Sequence, residues 1–105
     1  MEIMERIKQQ IDSASVVLYM KGSPQFPQCG FSAQTVEALK GCNASFEHID
    51  ILADPEVRAN LPRYANWPTF PQLHIKGELV GGCDIVMDLF QKGELQTLID
   101  EACKD

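Results

Sequence analysis

Six residues, Ser15-Val16-Val17-Leu18-Tyr19-Met20, do most to limit the folds open to this chain. They form a short, almost wholly apolar run rich in β-branched side chains. Such a run reads as a strand covered on both faces, and strands of that kind belong to parallel sheets with helices above and below. Ahead of it, Ile3, Ile7 and Ile11 recur every four residues, as on one face of a helix. Behind it, Lys21 to Gln28 holds Gly22, Pro24 and Pro27 and reads as loop. A second helix is expected from about Cys29 or Gly30 to Leu39, with Val36 and Leu39 inward and Gly41 as its stop signal. Ser45 to Ile51 reads as a second strand, with Phe46, Ile49 and Ile51 as its apolar residues.

Asp54-Pro55-Glu56 is a helix start: a capping carboxylate, a proline at the first position, then an acid in the first turn. That helix carries Val57, Leu61 and Tyr64, and Pro62 is expected to kink or split it. Pro71–Ile75 and Glu78–Val80 flank Lys76-Gly77 as an antiparallel hairpin. Gly81-Gly82 leads into a helix from Cys83 to about Phe90. A last helix, Glu94 to Cys103, carries Leu95, Leu98, Ile99 and Ala102. The order is α-β-α-β-α-β-β-α-α. Two strands joined by a crossover helix make a right-handed parallel unit, and the hairpin adds antiparallel strands. The expected fold is α/β: a four-stranded mixed sheet with helices on both faces. At 105 residues, residues 1–105 form one small domain, and 45% apolar residues suffice for a core without staples.

The net charge of −6 argues against nucleic acid, because phosphate binding needs a basic footprint. It leaves room for a small anionic ligand beside local cations. No apolar run approaches the roughly 18–20 residues of a membrane span. The N-terminus has acids and no positive n-region, so a cytoplasmic address is expected. Cys29, Cys42, Cys83 and Cys103 lack the close paired spacing of a zinc site, and with no secretion signal they are expected to be reduced thiols.

Cys29 follows a strand and opens a helix, which is where a thiol becomes reactive. Thiol–disulfide enzymes usually carry a second cysteine three residues on; here that place is Ser32. A hydroxyl can neither form a disulfide nor leave as a thiolate, so any second thiol must come from elsewhere. Free amides at the helix start favour the thiolate, and Lys21 across the loop adds a positive charge. The pKa of Cys29 is therefore expected below that of a free cysteine. Its loop is too polar and proline-rich to be core.

Three further groups stand out. In Trp67-Pro68-Thr69-Phe70-Pro71, Pro71 belongs at a strand's first position or edge. A cis Phe70–Pro71 bond would turn the Phe70 backbone outward to pair with an extended peptide; a plain aromatic turn fits the local sequence equally well. Gly81-Gly82-Cys83-Asp84 offers free amides that suit a carboxylate, and Asp84 either accepts from a ligand ammonium or caps the helix. Arg58 is either a solvated charge or a ligand contact. Together they would suit a peptide with two carboxylates and one ammonium. Cys42 and Cys103 read as packing or surface thiols, and His48 and His74 as strand-face residues.

Cys29-Gly30-Phe31-Ser32, Lys21-Gly22-Ser23-Pro24, Trp67-Pro68-Thr69-Phe70-Pro71-Gln72-Leu73 and Gly81-Gly82-Cys83-Asp84, in this order and spacing, resemble the monothiol glutaredoxins of the CGFS class. The resemblance spans essentially the whole chain. It implies a thioredoxin fold with Pro71 as its cis-proline, and glutathione as ligand. By this likeness Lys21 and Arg58 meet the glycyl carboxylate, Phe70 bonds the cysteinyl backbone, and Cys83 and Asp84 receive the γ-glutamyl end. Gly30, Phe31, Thr69, Pro71 and Gly82 would lie close to the ligand.

The family also holds a [2Fe–2S] cluster between two protomers and hands it to other proteins. A [2Fe–2S] centre takes about four thiolates; two Cys29 side chains and two glutathione thiols complete that set. The resemblance thus implies a homodimer when cluster-bound, apo iron–sulfur acceptor proteins as partners, and a BolA-family protein as a possible substitute for one protomer. The alternative is a glutathione-dependent thiol–disulfide oxidoreductase. In it Cys29 attacks a glutathionylated protein, and a second glutathione resolves the mixed disulfide. A third reading is an adaptor whose fold serves protein contacts only.

Overall fold

In the computed structural model, which describes residues 2–104, the chain alternates helix and strand as its periodicity predicts. Helix α1 spans Ile3–Asp12 and strand β1 spans Val16–Met20. Helix α2 is Gly30–Gly41, β2 is Glu47–Asp50 and α3 is Pro55–Ala65. The hairpin strands are β3, Gln72–Ile75, and β4, Glu78–Gly81. Helices α4, Cys83–Gln91, and α5, Glu94–Ala102, complete the order.

The sheet order is β2-β1-β3-β4. Strand β1 runs parallel to β2, with Val17 opposite Glu47 and Met20 opposite Asp50. It runs antiparallel to β3, with Val17 opposite His74 and Tyr19 opposite Gln72. Every residue of β1 is buried, because alternate side chains enter two different cores. Val16, Leu18 and Met20 pack with Leu73 and Ile75 under α2, α4 and α5. Val17 and Tyr19 pack under α1 and α3 against Ile7, Ile11, Val57 and Leu61. Each fully buried Leu or Ile contributes about 1.5–3 kcal/mol, so both helical layers are strongly held. Among the described residues no helix is long and apolar enough to cross a membrane.

The hairpin turn is as the sequence predicts: Lys76 and Gly77 both have positive φ, 53° and 79°, the pattern of a type I′ turn. Several local expectations are corrected. Helix α2 does not stop before Gly41 but includes it; the stop residue is Asn43, at φ 53°. Asn43 N–H donates to Lys40 C=O and Ala44 N–H to Leu39 C=O, a Schellman closure. Gly41 serves packing instead, since a Cβ there would lie 2.9 Å from the Phe90 ring. Pro62 does not split α3, which runs unbroken through it. Pro62 forgoes its own N–H bond and its ring crowds the carbonyl one turn back, and fully buried Val57 and Leu61 anchor the helix against that cost. On α3 and α5, Val57, Leu61, Leu95 and Ile99 are buried, whereas Tyr64 and Leu98 are 40% and 37% exposed.

Candidate functional site: a groove beside Cys29

Cys29 is the N-cap of α2, with extended backbone and no side-chain capping bond, so its sulfur is free of structural duty. The first turn of α2 aims amides at that sulfur. The thiol titrates below its ordinary value. The Ser32 N–H is the largest cause; partial desolvation opposes it, and the Phe31 N–H, the Lys21 ammonium and the Ser32 hydroxyl add to the lowering. The sequence predicted this direction and both sources, and the helix amides outweigh Lys21.

Ser32 is more than a missing sulfur. It is 0% exposed, and its Oγ accepts the backbone N–H of Lys21 at 3.1 Å. This ties the end of β1 to the start of α2. The intervening loop is closed at its base by Gln28 N–H to Lys21 C=O, 2.9 Å, and by a Gly22–Pro27 bridge. Asp50 Oδ1 accepts from Gly22 N–H and from Leu52 N–H, each at 2.9 Å. Gly22 sits at φ 90°, and a Cβ there would lie 2.5 Å from Phe26 C=O. Only glycine fits that position. The loop and helix leave Phe26 75% and Phe31 59% exposed on either side of Cys29.

Opposite Cys29, the Phe70–Pro71 bond is cis, as the resemblance implies. Among the described residues neither the N–H nor the C=O of Phe70 takes a hydrogen bond. Gln72 Nε2 donates to Trp67 C=O at 3.0 Å and Thr69 C=O at 3.2 Å, holding the turn before Phe70. At the far end, Gly82 is the N-cap of α4 and supplies no side-chain acceptor. Asp84 lies exposed in the first turn and makes no capping bond. Capping was the simpler expectation for Asp84, and the structure replaces it with a free carboxylate. Cys83 is buried, donates to Gln34 Oε1 at 3.3 Å, and titrates above the ordinary thiol range because burial disfavours its anion.

These parts enclose a groove of about 680 Å³. Lys21, Cys29, Phe31, Arg58, Thr69, Phe70, Pro71, Gly82, Cys83 and Asp84 all line it, so it gathers every residue singled out from sequence except Gly30. Gly30 is exposed beside it. Arg58 forms no ion pair among the described residues. Pro62, Trp67, Pro68 and Ile85 also line the groove. Trp67 and Pro68 belong to the motif before β3 but have no role assigned by sequence, Pro62 reads only as a helix kink or split, and Ile85 carries no signal beyond apolarity. His48, His74, Cys42 and Cys103 lie outside it, as expected. Among the described residues no three His, Cys, Asp or Glu side chains converge as metal ligands. A metal at Cys29 would therefore need donors from beyond this chain.

The groove combines a thiolate-prone sulfur, two cations, unpaired backbone at Phe70 and the uncapped start of α4. A glutaredoxin family model matches residues 16–80. Glutaredoxin 4 of Pasteurella multocida is 60% identical over 105 residues, covering 99% of this chain and 96% of its own. Glutaredoxin 4 of Escherichia coli K12 is 60% identical over 98 residues, with 93% and 85% covered. The solution structure of reduced poplar apo GrxS14 is 46% identical, with a TM-score of 0.83 over 96% of this chain and 93% of that one.

Proposed function

Because this chain belongs to the glutaredoxin family, in its monothiol CGFS class, we propose that it binds glutathione in the groove beside Cys29 and carries a [2Fe–2S] cluster between two protomers for delivery to acceptor proteins. The observation that carries this reading is the pairing of one activated sulfur with a peptide-sized groove. Cys29 is the only thiol there whose titration is lowered, and Ser32 is committed to holding Lys21.

The chemistry of the lining fits glutathione. Lys21 and Arg58 complement the glycyl carboxylate, the unpaired Phe70 backbone complements the cysteinyl peptide group, and the uncapped start of α4 complements the γ-glutamyl carboxylate. Asp84 supplies an acceptor for its ammonium. This lays the ligand's thiol beside Cys29. Two protomers and two glutathiones then offer the four thiolates that such a cargo takes. Exposed Phe31, which lines the groove with Cys29, and exposed Phe26 in the preceding loop offer apolar surface for a facing protomer or a BolA-family protein to cover.

A second reading rests on the same lowered titration. The Cys29 thiolate attacks the glutathione sulfur of a glutathionylated protein and the protein thiolate leaves; a second glutathione thiolate then attacks the Cys29–glutathione disulfide, releasing glutathione disulfide and restoring Cys29. Anaerobic reconstitution with iron, sulfide and glutathione separates the two. The carrier gives a coloured dimer that is lost without glutathione and in Cys29→Ser. A colourless monomer with fast deglutathionylation establishes the enzyme instead.

A further inference from the structure

Behind the groove wall lies a pair of buried polar side chains that no step above uses. Gln72 and His74 are 0% and 2% exposed, on the face of β3 opposite Leu73 and Ile75. The His74 ring meets Tyr19 edge-on at 5.6 Å. An apolar pair would pack there without the cost of desolvation.

The hydrogen bonds explain their presence. Pro68 and Pro71 have no N–H, and the Trp67 N–H is spent on Pro62 C=O. The turn from Trp67 to Pro71 is thus short of donors to tie its own carbonyls. Gln72 Nε2 supplies two, to Trp67 C=O and Thr69 C=O. That fixes the amide: a flipped Gln72 would face two carbonyls with an oxygen. Oε1 therefore points to His74 Nε2, 3.2 Å away. An amide oxygen only accepts, so Nε2 carries the imidazole proton and Nδ1 is bare. Nδ1 has no partner, and burial holds the ring's pKa down to about 4, so it is neutral around pH 7.

We propose that Gln72 and His74 are positioning residues for ligand recognition: His74 orients the Gln72 amide, Gln72 holds the Trp67–Thr69 turn, and the turn presents the Phe70 edge to glutathione. The inference rests on the glutathione reading. It adds that affinity is set partly by two side chains that do not line the groove.

Nitrogen NMR of the full chain and glutathione titration by calorimetry test it. In the wild type His74 is expected as the Nε2–H tautomer. Gln72→Leu should weaken glutathione binding about tenfold, the loss expected when a wall is released from two buried hydrogen bonds. The pH midpoint of Cys29 alkylation should stay where it was. His74→Phe keeps the ring against Tyr19 but removes the donor, and should weaken binding about threefold; His74→Gln should restore it. An Nδ1–H tautomer overturns the proposal. So does unchanged affinity in folded Gln72→Leu, or a Cys29 midpoint that moves with the affinity. Where Gln72→Leu fails to fold, equal affinities for His74→Phe and His74→Gln overturn it. A wild type that binds no glutathione sinks the ligand reading alone; the amide shifts of Trp67 and Thr69 in His74→Phe, moved or unmoved, still decide the positioning.

Discussion

The hydroxyl of Ser32 accepts the backbone N–H of Lys21 at 3.1 Å, fully buried between the end of β1 and the first turn of α2. The residue that makes this site monothiol is also the one that fixes where its lysine and its cysteine stand.

Ser32→Ala should therefore cost stability more than it costs acidity. The Lys21 N–H loses its partner, worth about 1–2 kcal/mol for a part-buried donor, read from urea unfolding. The Cys29 alkylation midpoint should stay low, because the backbone N–H of Ser32 is the larger influence and remains. A midpoint at the free-cysteine value would assign the effect to the hydroxyl instead.

Gly22→Ala should disturb the loop from its base. The left-handed backbone at φ 90° and a Cβ 2.5 Å from Phe26 C=O act together. A loss of at least about 2 kcal/mol is expected, accompanied by slower Cys29 alkylation at pH 7. Thermal unfolding and a thiol-reactive probe check both.

His74 makes stability depend on acidity. Its folded pKa, about 4, lies below the unfolded value near 6.5. Below 6.5 the unfolded chain takes up a proton that the folded chain refuses. The stability is complete above that value and is lost as pH falls toward 4, by about 3 kcal/mol in all. Urea midpoints at pH 7 and pH 4.5 should differ less in His74→Phe than in the wild type.

Gly82→Ala separates binding from folding. Gly82 has an ordinary φ of −94°, and a Cβ there makes normal contacts, 3.4 Å to Pro71 C=O and 3.5 Å to Trp67 Nε1. The unfolding midpoint should hold to within about 0.5 kcal/mol. The added methyl narrows the groove where the γ-glutamyl end is proposed to enter, so glutathione affinity should fall about tenfold. Calorimetry beside denaturation tells the two apart.

Much of this was legible before any coordinates. The apolar run at β1 announced a strand buried on both sides, and caps such as Asp54-Pro55 announced their helices, because each signal is local. The groove's residues were legible as four short motifs, although nothing in spacing alone brings Arg58 to Lys21. What stayed hidden depends on tertiary contact. Gly41 looked like a helix stop because its real partner, the Phe90 ring, is remote in sequence. Pro62 reads as a kink or a split, and the split is absent because buried Val57 and Leu61 anchor α3, a contact the local sequence does not display. Gln72 and His74 looked like plain strand residues, since their meaning lies in a turn whose prolines lack donors.

The loop before Cys29 is closed upon itself. Its base is locked by Gln28 to Lys21, and its tip by Ser23 N–H to Phe26 C=O and Phe26 N–H to Ser23 C=O. Pro24 and Gln25 hang within that tip. Their side chains are thus decoupled from the amides that govern the sulfur's charge. Substitution of Pro24 or Gln25 should therefore leave the alkylation midpoint of Cys29 where it is.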